Sequence, residues 1–109
     1  MTTAQNPDTS QAPAIAQLEA IVEQTPEDAA ALTALADAYL CAGRIEDASD
    51  QLLVALAHAP DNCGARLRYA RCCRKAGDIE EAKEVLRGLL DDDPAMAEAH
   101  FEQGLVAQT

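Results

Sequence analysis

The chain has 109 residues, 8 of them basic and 19 acidic, which gives a formal net charge of −11. A chain of this length forms one domain of ordinary size, and its negative charge argues against binding to a phosphate backbone or an anionic membrane surface. Hydrophobic residues make up 49% of the chain but aromatic residues only 3%, which favours helices stacked closely through small side chains and partners that are proteins.

The chain begins with a segment, residues 1–13, that is rich in Thr, Gln, Asn, Pro and Ser, and we predict that it is a disordered lead. The sequence shows no apolar core of a secretory signal and no run of about 18 apolar residues that could span a membrane. We therefore expect a cytoplasmic protein. After the lead, apolar residues recur at the helical period in six segments, which predict helices at 14–24, 29–42, 45–58, 63–76, 79–91 and 96–107.

The sequence repeats itself with a period of 34 residues, as Pro26, Pro60 and Pro94 show. Three further columns have the same period in three copies each: Ala14, Ala48 and Ala82; Leu18, Leu52 and Leu86; and Val22, Leu56 and Leu90. Gly43 and Gly77 also lie one period apart, between two helical segments, where glycine suits the left-handed residue that ends a helix. Each repeat is thus predicted to be a helix, a tight turn and a second helix.

Polar residues mark the start of the second, fourth and sixth predicted helices, in the sequences Pro-Glu-Asp at 26–28, Pro-Asp-Asn at 60–62 and Asp93-Pro94. Their side chains can accept hydrogen bonds from the first amides of the next helix and oppose its dipole. The acid run Asp91-Asp92-Asp93 belongs to such a turn, because it lacks the alternating spacing, the glycine and the terminal Glu of a calcium loop. The turn signals therefore agree with the helices predicted from periodicity.

With this period, small residues at the helix-crossing positions and a proline closing each repeat, the chain resembles the tetratricopeptide repeat family over residues 14–107. The first helix of a family repeat carries a large apolar residue, Leu, a small residue and Tyr. The first full repeat matches this pattern with Leu32, Leu35, Ala36 and Tyr39. The second repeat departs from it with Arg66, Tyr69, Ala70 and Cys73, and the third copy has His100, Gln103, Gly104 and Ala107 in the same columns.

The resemblance implies an all-α fold, a right-handed superhelical stack of antiparallel helix pairs with about six helices. Its parts would be a half-repeat at 14–26, repeats at 27–60 and 61–94, and a half-repeat or capping helix at 95–107. The resemblance also implies a non-enzymatic protein-interaction module, an adaptor or assembly scaffold. Such a module holds a peptide or a partner helix on a concave face that the first helix of each pair lines.

The resemblance places the following side chains in the concave groove: Thr33, Asp37, Leu40, Leu67, Arg68, Arg71, Lys75, Phe101 and Leu105. Residues 62–77 hold five of the eight basic residues and no acid, and Arg68, Arg71 and Lys75 share one helical face. One hypothesis is that this face binds an acidic peptide with apolar anchors, since guanidinium groups bind carboxylates through paired hydrogen bonds. The alternative is that the arginines neutralise neighbouring acidic helices and that Phe101 only covers the last helix pair.

Some members of this family bind the C-terminal carboxylate of chaperones through Lys and Asn side chains at fixed groove positions. The present chain lacks that set, because it has Thr33, Asp37 and Arg68 in the first two repeats and Glu98 in the third. A chaperone tail is therefore not the ligand that the sequence favours.

The sequence does not indicate catalysis, a cofactor or a metal site. It contains no Ser-His-Asp or Cys-His arrangement, no glycine-rich phosphate loop and no metal motif. His58 and His100 stand alone, and we interpret both as helix-end or packing residues.

Two further hypotheses remain open. One is a redox- or metal-responsive switch, although small helix positions also accept buried cysteines; the thiols concerned are Cys41, Cys63, Cys72 and Cys73. The other is a homo-oligomer formed through the terminal helices, since the two half-repeats leave apolar residues without evident cover: Ile15, Ile21, Phe101 and Val106.

Overall fold

The computed structural model describes residues 7–108, and the side chains of residues 14–108. This part of the chain contains six helices and no strand: α1 (Pro7–Gln24), α2 (Ala29–Cys41), α3 (Ile45–His58), α4 (Cys63–Ala76), α5 (Ile79–Asp92) and α6 (Ala97–Ala107). The predicted all-α fold is confirmed, and the bounds of α2 to α6 agree with the predicted ones to within one residue. None of the described helices combines the length and the apolar character needed to cross a membrane.

Helix α1 begins earlier than the sequence analysis predicted. Of the predicted disordered lead, residues 1–6 lie outside the described part of the chain, whereas residues 7–13 form the first turns of α1. Pro7 occupies the first helical position, where a missing amide donor and a fixed φ are favourable. The structure thus corrects the prediction for residues 7–13, whose polar composition concealed a helix start.

The helices form two layers. Each helix contacts the next one in the chain, and α2, α4 and α6 also contact one another in order, whereas α1, α3 and α5 do not. The set in mutual contact therefore forms the inner, concave layer, and the other set forms the outer layer. The stack is elongated, with extents of 50 × 31 × 22 Å.

The columns that repeat in the sequence form the core. Ala48 and Leu52 are fully buried in a cluster with residues of α2, and Ala82 and Leu86 are fully buried in a second cluster with residues of α4 and α6. Tyr69 packs against both clusters and joins them. Burial of one leucine side chain contributes about 2 kcal/mol. The same packing site therefore recurs in each repeat, at a spacing of 34 residues.

The turns have the geometry that the sequence predicted. Asp28 accepts hydrogen bonds from two amides at the start of α2, that of Ala30 at 3.0 Å, and Asn62 accepts one from the amide of Ala65 at 3.0 Å. Gly77 ends α4 with a φ of 90°, a left-handed conformation that favours glycine. These contacts set where each inner helix begins and ends, and so they position the concave face.

Candidate functional site

An open cleft of about 470 Å³ lies between α2 and α4. It is lined by six residues of these two inner helices: Asp37, Leu40, Cys41, Arg68, Arg71 and Lys75. Because only inner helices line it, the cleft belongs to the concave face. Five of these residues were predicted as groove residues from the sequence, and Cys41 is an addition.

Arg68 crosses the cleft and is held by two hydrogen bonds. Its Nε donates to Oδ1 of Asp37 on α2 at 2.8 Å, and its Nη1 donates to the carbonyl of Gly64, one turn earlier on α4, at 3.1 Å. A Cβ on Gly64 would lie 3.1 Å from that Nη1, so the glycine leaves room for the arginine to fold back along the helix. Arg68 therefore neutralises an acid of the neighbouring helix, as the alternative interpretation of the basic residues predicted.

A second ion-pair cluster joins α4 to α6. Nε of Arg71 donates to Oε2 of Glu102 at 2.8 Å, and Nε of Arg74 donates to Oε1 of the same carboxylate at 2.9 Å. Glu102 is only 2% exposed. Burial by itself raises the pKa of this carboxyl, but the hydrogen bonds and positive charges of the two arginines outweigh burial and lower it. Glu102 is thus a buried anion that orients two arginines along the inner layer.

The sequence analysis did not identify Glu102 as a residue of the site. It lies between Ala99 and Val106, both buried, on the stripe of α6 that packs inward. The charged residues of α4, which α6 contacts, are all basic. An acid within an apolar stripe next to such a helix is the signal that could have identified it.

Lys75 is the cation of the cleft that has no internal partner. Seven of the eight basic residues form ion pairs with acidic side chains of the described chain, and the exposed Lys75 is the exception. Both Nη groups of Arg71 are available to a ligand, because its hydrogen bond within the described residues uses Nε. The cleft therefore offers an ammonium group and one edge of a guanidinium group to a carboxylate.

The other predicted groove residues lie outside this cleft. Thr33 is half-buried, and its hydroxyl donates to two carbonyls one turn earlier on α2, at 2.9 and 3.0 Å. The structure contradicts the prediction for Leu67, which is only 5% exposed because it packs in the core cluster shared with α5 and α6. Phe101 is 66% exposed, so it does not cover the last helix pair, and Leu105 on the same helix is half-buried.

Arg66 stands in the column that holds Leu32 in the first repeat, and the structure explains how α4 accommodates it. Its Nη1 donates to Oδ2 of Asp92 on α5 at 2.7 Å. A Cβ at Gly88 would lie 2.8 Å from its Nη2, so the guanidinium passes directly over this glycine and would have to shift for any larger residue. Its aliphatic part covers the helix contact while its charge reaches the surface of α5.

The cysteines differ in exposure. Cys41 is exposed and Cys63 is partly buried, whereas Cys72 and Cys73 are almost fully buried. Burial raises the pKa of the Cys72 thiol and raises that of Cys73 to about 11. Both thiols therefore stay protonated and unreactive at neutral pH, which favours packing over a switch for this vicinal pair. Among the described residues no group of three or more metal-binding side chains occurs.

Comparison with known families gives two matches to models of the tetratricopeptide repeat, over residues 8–59 and residues 51–108. No curated protein sequence matches the chain. The two family matches together cover all six described helices.

Several solved structures are similar to this chain. The first tetratricopeptide domain of Spaghetti (RPAP3) bound to the HSP90 peptide SRMEEVD is 22% identical with a TM-score of 0.84, over 92% of this chain and 79% of that one. The second such domain of human RPAP3, in complex with the HSP70 peptide SGPTIEEVD, is 20% identical with a TM-score of 0.83, over 94% and 85%. MamA is 16% identical with a TM-score of 0.79, over 97% and 66%. At these identities the likeness is one of fold.

Proposed function

The chain belongs to the tetratricopeptide repeat family, and from this premise we propose that it is a protein-interaction module that acts as an adaptor or assembly scaffold. Its ligand is a peptide or partner helix, with acidic and apolar residues, that lies along α2, α4 and α6. The observation that carries this proposal is the concave cleft, where Lys75 and the Nη groups of Arg71 have no acidic partner among the described residues. No catalytic role is proposed, since domains of this family are typically non-enzymatic.

The distribution of charge supports an acidic ligand. Three cations and one carboxylate line the cleft, so its local charge is +2 (3 − 1) on a chain whose net charge is −11. A ligand carboxylate would accept hydrogen bonds from Nζ of Lys75 and from the Nη groups of Arg71. Charge-assisted hydrogen bonds of this kind contribute about 1.5–3 kcal/mol each when they are partly removed from water.

Apolar side chains on the same face support an apolar component in the ligand. Leu40 and Cys41 line the cleft beside the cations. Leu105 occupies the column of Arg71 one period later, and Phe101 precedes it by one turn with 66% of its surface exposed. A ligand that follows the inner layer would therefore place an acidic residue over α4 and an apolar one over α6, where an aromatic anchor can supply much of the binding energy.

The chaperone peptides seen in two similar structures are not the proposed ligand. Glu98 places an exposed negative charge in the third repeat, at a position where chaperone-binding members carry Lys. A peptide that ends in several carboxylates would meet this charge. Such peptides serve as comparison ligands in the test below.

The test uses Cys41, which is exposed and lines the cleft, as the attachment point for a benzophenone maleimide in a Cys63→Ser background. Irradiation in an extract of the source cells, followed by mass spectrometry, identifies the cross-linked partner. We expect Lys75→Glu to abolish this cross-link. The matched variant Lys83→Glu reverses another exposed cation, on α5 outside the cleft, and should retain it.

Two controls make the result specific. A probe attached through Val54→Cys, an exposed position on the outer helix α3, in a chain that also carries Cys41→Ser and Cys63→Ser, should not capture the same partner. A partner captured equally by Lys75→Glu, or by the probe on α3, would contradict the proposal. Competition by a synthetic SRMEEVD peptide would replace it with the chaperone-tail alternative.

A further inference from the structure

The end helix α1 has an apolar face that is covered at the equivalent positions of the other outer helices. Ile21 is 47% exposed, whereas Ala55 and Leu89, one and two periods later, are both 0% exposed. Ala14 is likewise exposed where Ala48 and Ala82 are fully buried. The difference arises because α2 packs before α3 and α4 packs before α5, while no described element packs before α1.

The other end helix, α6, exposes the face that an outer helix covers in the earlier repeats. Four of its residues are exposed, although they occupy the columns that α3 and α5 cover in the earlier repeats: His100, Gln103, Gly104 and Ala107. In the first repeat, the equivalent residues are at most 5% exposed: Leu32, Leu35, Ala36 and Tyr39. The described chain has no outer helix after α6.

Helix α6 and helix α1 correspond to the inner and the outer helix of one repeat. Among the described residues, α1 is an outer helix with no inner helix before it, and α6 is an inner helix with no outer helix after it. We propose that copies of this chain associate head to tail, with α1 of one copy packing on α6 of the next as α5 packs on α4 within the chain. This interface does not involve the concave cleft, so it stands independently of the proposed ligand.

The proposed contact uses the same columns as the internal α4–α5 contact. Within the chain, Arg66 passes over Gly88 and pairs with Asp92. By the period of 34, the corresponding residues of the proposed contact are His100 on α6 and Ala20 and Gln24 on α1 of the neighbouring copy, so a polar side chain again faces a small residue and a polar one. The His100 ring lies 2.7 Å from the carbonyl of Pro94 and would turn away from it to reach Gln24.

Charge also favours this pairing. A cavity of about 310 Å³ beside the open face of α6 is lined by Lys83, Arg87, Gln103, Val106 and Ala107. Residues 1–43 contain no Lys or Arg, and α1 carries the exposed Glu23. A symmetric contact of α1 with α1 would bring acid against acid, whereas α1 on α6 brings α1 to the end of the stack that carries Lys83 and Arg87, each paired within the described residues only with an exposed acid of α5. The contact is heterologous, so it propagates into a chain of copies and does not stop at a dimer.

The test measures molar mass by analytical ultracentrifugation over a wide range of protein concentration. We expect the mass of the wild type to rise with concentration beyond that of a dimer. Ile21→Glu on α1 and Ala107→Glu on α6 should each weaken association at least tenfold, because each would bury an unpaired charge in the contact. Both positions are exposed, and far-ultraviolet circular dichroism checks that each variant keeps its helices.

Mixing the two variants separates the possible arrangements. Each variant keeps one intact face, so an equimolar mixture should form a dimer that grows no further. Val54→Glu, at an exposed apolar position of α3, is the matched control and should associate like the wild type. The proposal is overturned if the wild type stays monomeric, if only Ile21→Glu has an effect, or if the mixture stays monomeric; the second result would indicate symmetric α1 pairing.

Discussion

Replacing Glu102 with glutamine should destabilise the fold by about 2–3 kcal/mol, because two arginines share its charge. The wild-type carboxylate accepts two charge-assisted hydrogen bonds at 2.8 and 2.9 Å, worth about 1.5–3 kcal/mol each. In glutamine one of the two carboxylate oxygens is replaced by an NH2 donor, so the hydrogen bond to one of the two arginines is lost together with the negative charge. Arg71 and Arg74 are 31% and 20% exposed, so water solvates part of the charge that remains. These terms together give the expected loss.

Urea unfolding at pH 7, followed by circular dichroism, measures this loss as a lower midpoint with an unchanged slope. For a domain of this size the melting temperature should fall by on the order of 10 °C. Glu98→Gln is the matched control, since Glu98 lies one turn earlier on α6, is exposed and has no ion pair with a described residue. It should change stability by less than about 0.5 kcal/mol. Equal effects of the two substitutions would refute the role assigned to Glu102.

The same pair of proteins has a definite pH dependence. Because the folded-state pKa of Glu102 is lowered from its ordinary value of 4.5, its contribution is complete above that value and is lost as pH falls through the folded pKa. The stability difference between wild type and Glu102→Gln should therefore be constant near neutral pH and narrow in acid. A difference that persists unchanged at the lowest pH at which both proteins fold would contradict the ionised state assigned here.

Three other predictions follow from single side chains. Burial raises the pKa of both tyrosines to about 12, so ultraviolet titration should show little phenolate at pH 10. Their contribution to stability should be complete below about pH 10, the ordinary pKa of tyrosine, and should be lost as pH rises from there through about 12. A thiol reagent should modify Cys41 rapidly in the native protein but the buried vicinal pair only after unfolding; rapid native reaction of all thiols would contradict this. Gly77→Ala should lower the free energy of unfolding by about 1 kcal/mol, because the φ of Gly77 is 90°. Gly104 is helical and has open space for a Cβ, so Gly104→Ala should raise the free energy of unfolding by up to about 1 kcal/mol in dilute protein. Urea unfolding measures both changes.

The fold was predictable because its determinants are local and repeated. The columns of Ala48 and Leu52 recur every 34 residues, and each copy is buried by the same kind of helix contact. Boundaries marked by a capping side chain, such as Asp28 and Asn62, were predicted correctly. The start of α1 was not, because the polar composition around Pro7 is shared by helix starts and disordered segments.

The candidate site was less predictable, because a helical face does not determine which side chains find partners. Arg68, Arg71 and Lys75 share one face of α4, yet the first two pair with acids 31 residues away and the third does not. Leu67 has the spacing of a groove residue but is covered by the neighbouring helices. Both outcomes depend on how α6 and α2 pack against α4, which one sequence position does not reveal.

The internal ion pairs define what the concave face can select. An acidic peptide approaching this chain is repelled by its net charge at long range, but salt screens that repulsion beyond about 8 Å at physiological ionic strength. At contact distance the relevant charges are those of the cleft, where Asp37 and Glu102 hold two arginines in fixed orientations while Lys75 remains unpaired among the described residues. The arginines are therefore positioned before a ligand arrives, and a carboxylate that binds them does not have to order their side chains. The proposed acidic partner would therefore meet guanidinium groups that are already oriented by the pairing that neutralises most of the chain's cations.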